Sequence, residues 1–104
     1  MLDTIKTILG LAPKLDYQQL VNDGAIIVDV RTKGEYAGGH INKSINIPLD
    51  VLPKQLKKLK DKNKTVITCC ASGMRSASAK RILKANGYDN VHNGGGWHSL
   101  QSKI

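Results

Sequence analysis

The chain has 104 residues, 40% of them hydrophobic and 23% charged, with a formal net charge of +8. That length makes one domain with a core of its own, and no run approaches the ~18–20 apolar residues that a bilayer crossing demands. Its two cysteines, adjacent at Cys69 and Cys70, exclude a disulfide framework, because neighbouring Cα atoms lie ~3.8 Å apart and a bridge needs ~4.4–6.8 Å. Both are therefore read as thiols of a reducing, cytoplasmic compartment.

Taken in chain order, Leu2, Ile5, Ile8 and Leu9 fall on one helical face, which predicts an amphipathic extension over residues 1–13 ahead of the domain. The stretch lacks the basic start and long apolar core of a secretory signal. "LDYQQLVNDG" reads as a short helix capped by Asp16, with Gln19 three residues on and Gly24 as its stop. "AIIVDV", residues 25–30, is β-branched and almost wholly apolar, as a strand buried on both faces of a parallel sheet should be. "KGEYAGG" predicts one helical turn running into a loop, and "SINIPL" a brief strand ended by Pro48.

The lysine-rich stretch from Lys54 to Lys64 predicts a helix with Leu52, Leu56 and Leu59 turned inward and the lysines in solvent. No aromatics interleave those lysines, which argues against a nucleic-acid partner. The positive balance favours small anions instead. "TVITC" is a second buried strand, "RSASAKRILKANG" a helix closed by Gly87, and "YDNVHNGGGWHSL" a short strand, a glycine turn and a terminal helix. Strands alternating with helices predict an α/β fold: a mostly parallel central β-sheet flanked by helices on both faces.

The cysteines stand where a central strand ends and a helix begins, the edge at which open α/β sheets bind ligands. Ala71, Ser72, Gly73, Met74, Arg75 and Ser76 follow, small enough in the main for a tight curl that aims successive N–H groups inward. The helix N-terminus and Arg75 add positive potential, which would bind an anion and shift a thiol towards its nucleophilic thiolate. Two spacings remain open, with Cys70 five positions before Arg75 and Cys69 six. Asp29 and Arg31 end the other central strand near the same edge, where a supporting ion pair fits better than catalysis. Glu35 lies at helical spacing from Arg31. His40, His92 and His98 have no metal-ligand spacing, and neither a phosphate-binding P-loop nor a dinucleotide fingerprint occurs, so no metal or cofactor is expected. Trp97, beside three glycines, reads as a packing lid.

Three motifs in order resemble the rhodanese (thiosulfate sulfurtransferase) family, in its single-domain form, from about Leu15 to Leu100. They are "VDVRTKGEYAGGHINKSINIP", "CASGMRS" and "NGGGWHSL". The resemblance implies that Cys70 is the nucleophile, aligned through Ser72, Gly73, Arg75 and Ser76. It also implies that a persulfide on Cys70 carries sulfane sulfur from thiosulfate, or from a persulfide-carrying protein, to cyanide or a thiol. Ala71 replaces the basic residue that many thiosulfate users carry, which points to a less charged or protein-bound donor. Met74 is bulkier than usual and narrows the pocket or meets an apolar group. The rival frame on Cys69 is similar to cysteine phosphatases and arsenate reductases, but Thr68 stands where the phosphatases have an activating histidine or glutamate. Cys69 reads otherwise as a core or resolving thiol. A non-catalytic module that binds a partner is the third reading.

Overall fold

The computed structural model describes residues 15–104; the helical extension expected over residues 1–13 lies outside them. Strands β1 (Ile26–Asp29), β2 (Ile45–Asn46), β3 (Val66–Cys70) and β4 (Val91–Gly96) form one sheet in the order β2-β1-β3-β4. Every neighbouring pair is parallel. Helices α1 (Tyr17–Asn22), α2 (Lys33–Ala37), α3 (Met74–Ala85) and α4 (Trp97–Gln101) alternate with them. Asp16 caps α1 by accepting the Gln19 N–H at 3.0 Å, as the sequence predicts.

Side-chain alternation along β1 and β3 splits the core between two faces. Val28, Val30, Val66 and Cys70 face Ala79 and Leu83 of α3, together with Leu52, Leu59 and Tyr88. Ile27, Ile67 and Cys69 face the other way, onto Leu100 of α4, with Leu20 and Val21 of α1 packed against them. Helices thus cover both faces, as expected. Each fully buried aliphatic side chain contributes about 1.5–3 kcal/mol.

The lysine-rich stretch departs from expectation. In place of an α-helix over Lys54–Lys64 there are two 3₁₀ segments, Leu49–Lys54 and Leu56–Lys58, and residues 59–64 form neither helix nor strand. Pro53 has no N–H to offer the Leu49 carbonyl, so an α-helical ladder fails at its start. The bonds that do form are one residue shorter, as in Gln55 N–H to Leu52 and Leu59 N–H to Leu56. Leu52 and Leu59 are nevertheless buried, as expected. The Tyr88 hydroxyl donates to the carbonyls of Leu59 at 2.6 Å and Leu56 at 3.2 Å, which secures the non-helical path. A second departure concerns the glycine run: Gly94, Gly95 and Gly96 belong to β4 rather than to a turn after it.

Candidate active site

β3 delivers Cys70 to the carboxyl edge of the sheet, and α3 starts at Met74. The intervening turn is tight because Gly73 adopts φ +102°, a conformation natural to glycine. It lies directly on β4: a Cβ on Gly96 would stand 2.9 Å from the Ala71 carbonyl oxygen, so only a bare backbone fits under the loop. The glycines of β4 are what let the cysteine loop close down.

Around the Cys70 sulfur the donors converge. The Gly73 N–H reaches Sγ at 2.9 Å and the Ser76 N–H at 3.4 Å, while the thiol itself donates to Ser76 Oγ at 3.5 Å. Burial pushes the Cys70 thiol up, but the Ser76 hydroxyl and the N–H groups of Ser76, Gly73 and Ser72 outweigh it, and the net direction is down. Ser76 is buried, whereas Ala71, Ser72 and Met74 are exposed, so the sulfur lies one layer beneath the surface. Met74, at 79% exposure, presents its thioether to solvent rather than narrowing a pocket.

Cys69 is its opposite. Packed on the α1/α4 face, it is pushed up to about 12, chiefly by burial and then by the Asp29 charge. A thiol so held is protonated at neutral pH, and it points away from the loop.

Arg75 forms a bidentate pair with Glu35, Nη1 to Oε1 at 2.7 Å and Nη2 to Oε2 at 2.9 Å. The sequence offers Arg75 as an anion-binding charge, but here its guanidinium is already neutralised by Glu35 and ties the start of α3 to α2. The expected Arg31–Glu35 carboxylate pair does not form; Arg31 reaches only the Glu35 carbonyl, at 3.3 Å. Thr32 explains why: in a capping box its N–H and hydroxyl hold Glu35 Oε1, turning the carboxylate towards Arg75. The Arg75 hydrogen bond, followed by the Thr32 N–H, lowers Glu35 from 4.5 to about 2. Because the folded value is the lower one, the stabilisation is present above pH 4.5 and lost as pH falls through about 2. Thermal midpoints of wild type and Glu35→Gln should therefore separate above pH 4.5, converge near pH 2, and lie closer at high salt. A separation that persists at pH 2 would contradict this.

Asp29 and Arg31 do form the expected ion pair, at 2.7 Å, but on the Cys69 face. Arg31 donates on to the Gly39 carbonyl at 2.7 Å and lies under the Trp97 ring, 4.6 Å from its centroid. The pair thus braces the loop after α2 and the start of α4, and makes no hydrogen bond to residues 71–76. Beside Arg75 runs a groove of about 280 Å³, lined by Val30, Thr32, Pro48, Leu49 and Asp50. Among the described residues no cluster of histidine, cysteine and carboxylate side chains is arranged to hold a metal ion.

Two contributors escape sequence reasoning. Thr68 Oγ1 donates to the Ser76 carbonyl at 2.9 Å, and Asn93 holds both Ser76 and Gly73. Asparagine ahead of a glycine run is the one signal that pointed to the second, and it also reads as an ordinary turn.

The chain is similar to known proteins over most of its described length. The family model described as "Rhodanese-like domain" matches residues 14–103. The thiosulfate sulfurtransferase PspE of Escherichia coli (strain K12) is 40% identical over 70 residues, spanning 66% of this chain and 67% of that protein. The tRNA uridine(34) hydroxylase of Buchnera aphidicola is 35% identical over 78 residues, 70% of this chain but only 25% of that protein. Among solved structures, a rhodanese with anions from E. coli superposes with a TM-score of 0.69 at 36% identity, covering 73% of this chain and 91% of that one.

Proposed function

The chain belongs to the rhodanese-like domain family, and from that premise we propose that it moves sulfane sulfur through a persulfide on Cys70. The observation that carries this reading is the Cys70 sulfur with the Gly73 N–H at 2.9 Å and the Ser76 N–H at 3.4 Å. In the first step the thiolate attacks the sulfane sulfur of a donor. A Cys70 S–S bond forms, the donor's S–S bond breaks, and its electron pair leaves on sulfite or on a thiolate. In the second step cyanide or an acceptor thiolate attacks the outer sulfur, and the pair returns to Sγ. Negative charge stays on sulfur throughout, where the loop N–H groups stabilise it without reorganisation.

The donor is a persulfide carried by a protein or small thiol rather than free thiosulfate. Ala71 brings no charge to the loop, Arg75 is occupied by Glu35, and Met74 offers an apolar contact at the rim. A cytoplasmic setting is part of the same proposal, since both thiols have to stay reduced; no described helix is long and apolar enough to cross a membrane. The Cys69 frame for phosphate or arsenate chemistry has no support in the geometry, because that thiol faces the core beneath α1 and α4.

Intact-mass spectrometry after incubation with thiosulfate, and separately with a persulfide-bearing protein, tests the reading. The expected result is a gain of one sulfur atom that cyanide removes, larger with the protein donor. No gain from either donor would overturn sulfur transfer. A larger gain from thiosulfate would overturn the donor assignment alone.

A further inference from the structure

The reading of Cys70 as a nucleophile leaves open how the proton at this site is handled, and the inference below rests on that reading. Ser76 is hemmed in from both strands that flank it. Thr68 and Asn93 are register partners in β3 and β4. The first donates to the Ser76 carbonyl at 2.9 Å, and the second places Oδ1 2.6 Å from the Ser76 hydroxyl. Backbone groups of fixed polarity set the orientation of the Asn93 amide. The Gly95 N–H, which can only donate, meets Oδ1 at 2.9 Å, and the Gly73 carbonyl, which can only accept, meets Nδ2 at 3.1 Å. Ser76 must therefore be the donor to Oδ1.

One hydroxyl proton thus has three acceptors in reach: Asn93 Oδ1 at 2.6 Å, the Gly73 carbonyl at 3.1 Å and Cys70 Sγ at 3.5 Å, of which Oδ1 is the nearest. While Cys70 is a thiol, its S–H donates to Ser76 Oγ and Ser76 donates onward to Asn93, a continuous chain of donors. An ionised sulfur has no proton to give and calls for one instead. We propose that Asn93 is a positioning residue that holds the Ser76 proton while Cys70 is a thiol and yields it when Cys70 ionises. A neutral amide suits both halves of that task. Its bond to a hydroxyl is about half as strong as the charge-assisted bond a thiolate offers, so it gives way. Oδ1 keeps the Gly95 N–H after the proton turns, so no buried acceptor is orphaned. With the Ser76 backbone held by Thr68, only the hydroxyl needs to rotate.

The charged and titratable groups nearby do not compete for that proton. On β3 Cys69 points to the opposite face, and on β1 Asp29 is paired with Arg31. On α3 Arg75 is paired with Glu35 of α2. On β4 His92 feels Lys80 and Lys84. Tyr17 of α1 donates its hydroxyl to the Asn93 main-chain carbonyl at 3.2 Å, and among the described residues none of these side chains hydrogen-bonds to the Ser76 hydroxyl or the Asn93 side-chain amide.

The test is the pH profile of Cys70 alkylation by iodoacetamide in wild type, Asn93→Asp and Asn93→Ala. Alkylation requires no sulfur donor, so the result stands whether or not sulfur transfer does. Aspartate grips the Ser76 proton and adds like charge, whereas alanine removes the nearest rival acceptor and leaves only the longer bond to the Gly73 carbonyl. The Cys70 pKa should be higher in Asn93→Asp than in Asn93→Ala by at least about one unit, or about tenfold in thiolate population on the acid side of both values. Because the aspartate charge alone raises the value, the alanine arm decides: in Asn93→Ala the Cys70 pKa should fall below that of wild type, whereas a merely structural anchor would leave it unchanged or raise it, and that result would overturn the proposal. Where either variant fails to fold, the side-chain amide resonance of Asn93 in the wild-type protein serves instead. It should titrate together with Cys70, and a pH-independent resonance would overturn the proposal equally.

Discussion

Cys70→Ser should lower cyanide-dependent sulfur release by at least about 10³-fold, on the scale seen when a covalent nucleophile is removed. Cys69→Ala should retain most of the activity and its cyanide-labile adduct. The contrast follows from the alternation of a β-strand: consecutive side chains point to opposite faces, and the two thiols occupy opposite chemical environments. One is approached by the Gly73 and Ser76 N–H groups. The other is held protonated by burial, at about 12. Serine at position 70 keeps the shape of the loop, but its hydroxyl does not ionise at neutral pH and forms no persulfide. Alanine at 69 removes one buried sulfur and leaves a small cavity, a stability cost of about 1 kcal/mol. Peptide mapping of the sulfur adduct in both variants decides the matter. An adduct that survives in Cys70→Ser and disappears in Cys69→Ala would reverse the assignment.

Local chemistry made much of this legible in the sequence. The β-branched run of Ile26–Asp29 and the apolar run of Val66–Cys70 are strands in the structure. The small residues after Cys70 form the turn into α3, as their composition indicates. Contacts made at long range were not legible. Glu35 and Arg75 are 40 positions apart, and nothing in the spacing of either announces the other. Helical spacing pointed Glu35 at Arg31, yet the Thr32 capping box turned the carboxylate away. The glycine run misled for a related reason. Glycine has poor strand propensity, but in β4 the absence of side chains is what allows Ala71 and Gly73 to lie against the strand. The lysine stretch has helical spacing of its leucines, yet it forms only a short 3₁₀ turn, whose Leu56 and Leu59 carbonyls accept from the Tyr88 hydroxyl, a contact made at long range.

Asp29→Ala should cost about 3–5 kcal/mol, the range found when one member of a buried ion pair is removed, from a total stability of about 5–15 kcal/mol for a domain. Asp29 is fully buried and the Arg31 side chain is 5% exposed. The carboxylate accepts Nε at 3.0 Å and Nη2 at 2.7 Å, and takes the Arg31 backbone N–H as well. Without it the guanidinium keeps the Gly39 and Glu35 carbonyls and the face of Trp97, which leaves a buried cation with no counter-charge. Replacing both partners, as in Asp29→Leu with Arg31→Met, removes that charge too and should recover much of the loss. Urea unfolding of the two singles and the double measures the coupling; a single-site cost below about 1 kcal/mol would show that the pair contributes little. The same variants separate stability from chemistry. The pair braces Gly39 and Trp97 on the Cys69 face, while the Cys70 sulfur draws its donors from residues 73 and 76 on the other. Folded Asp29→Ala protein should therefore alkylate at Cys70 with the wild-type pH profile even as its unfolding midpoint drops.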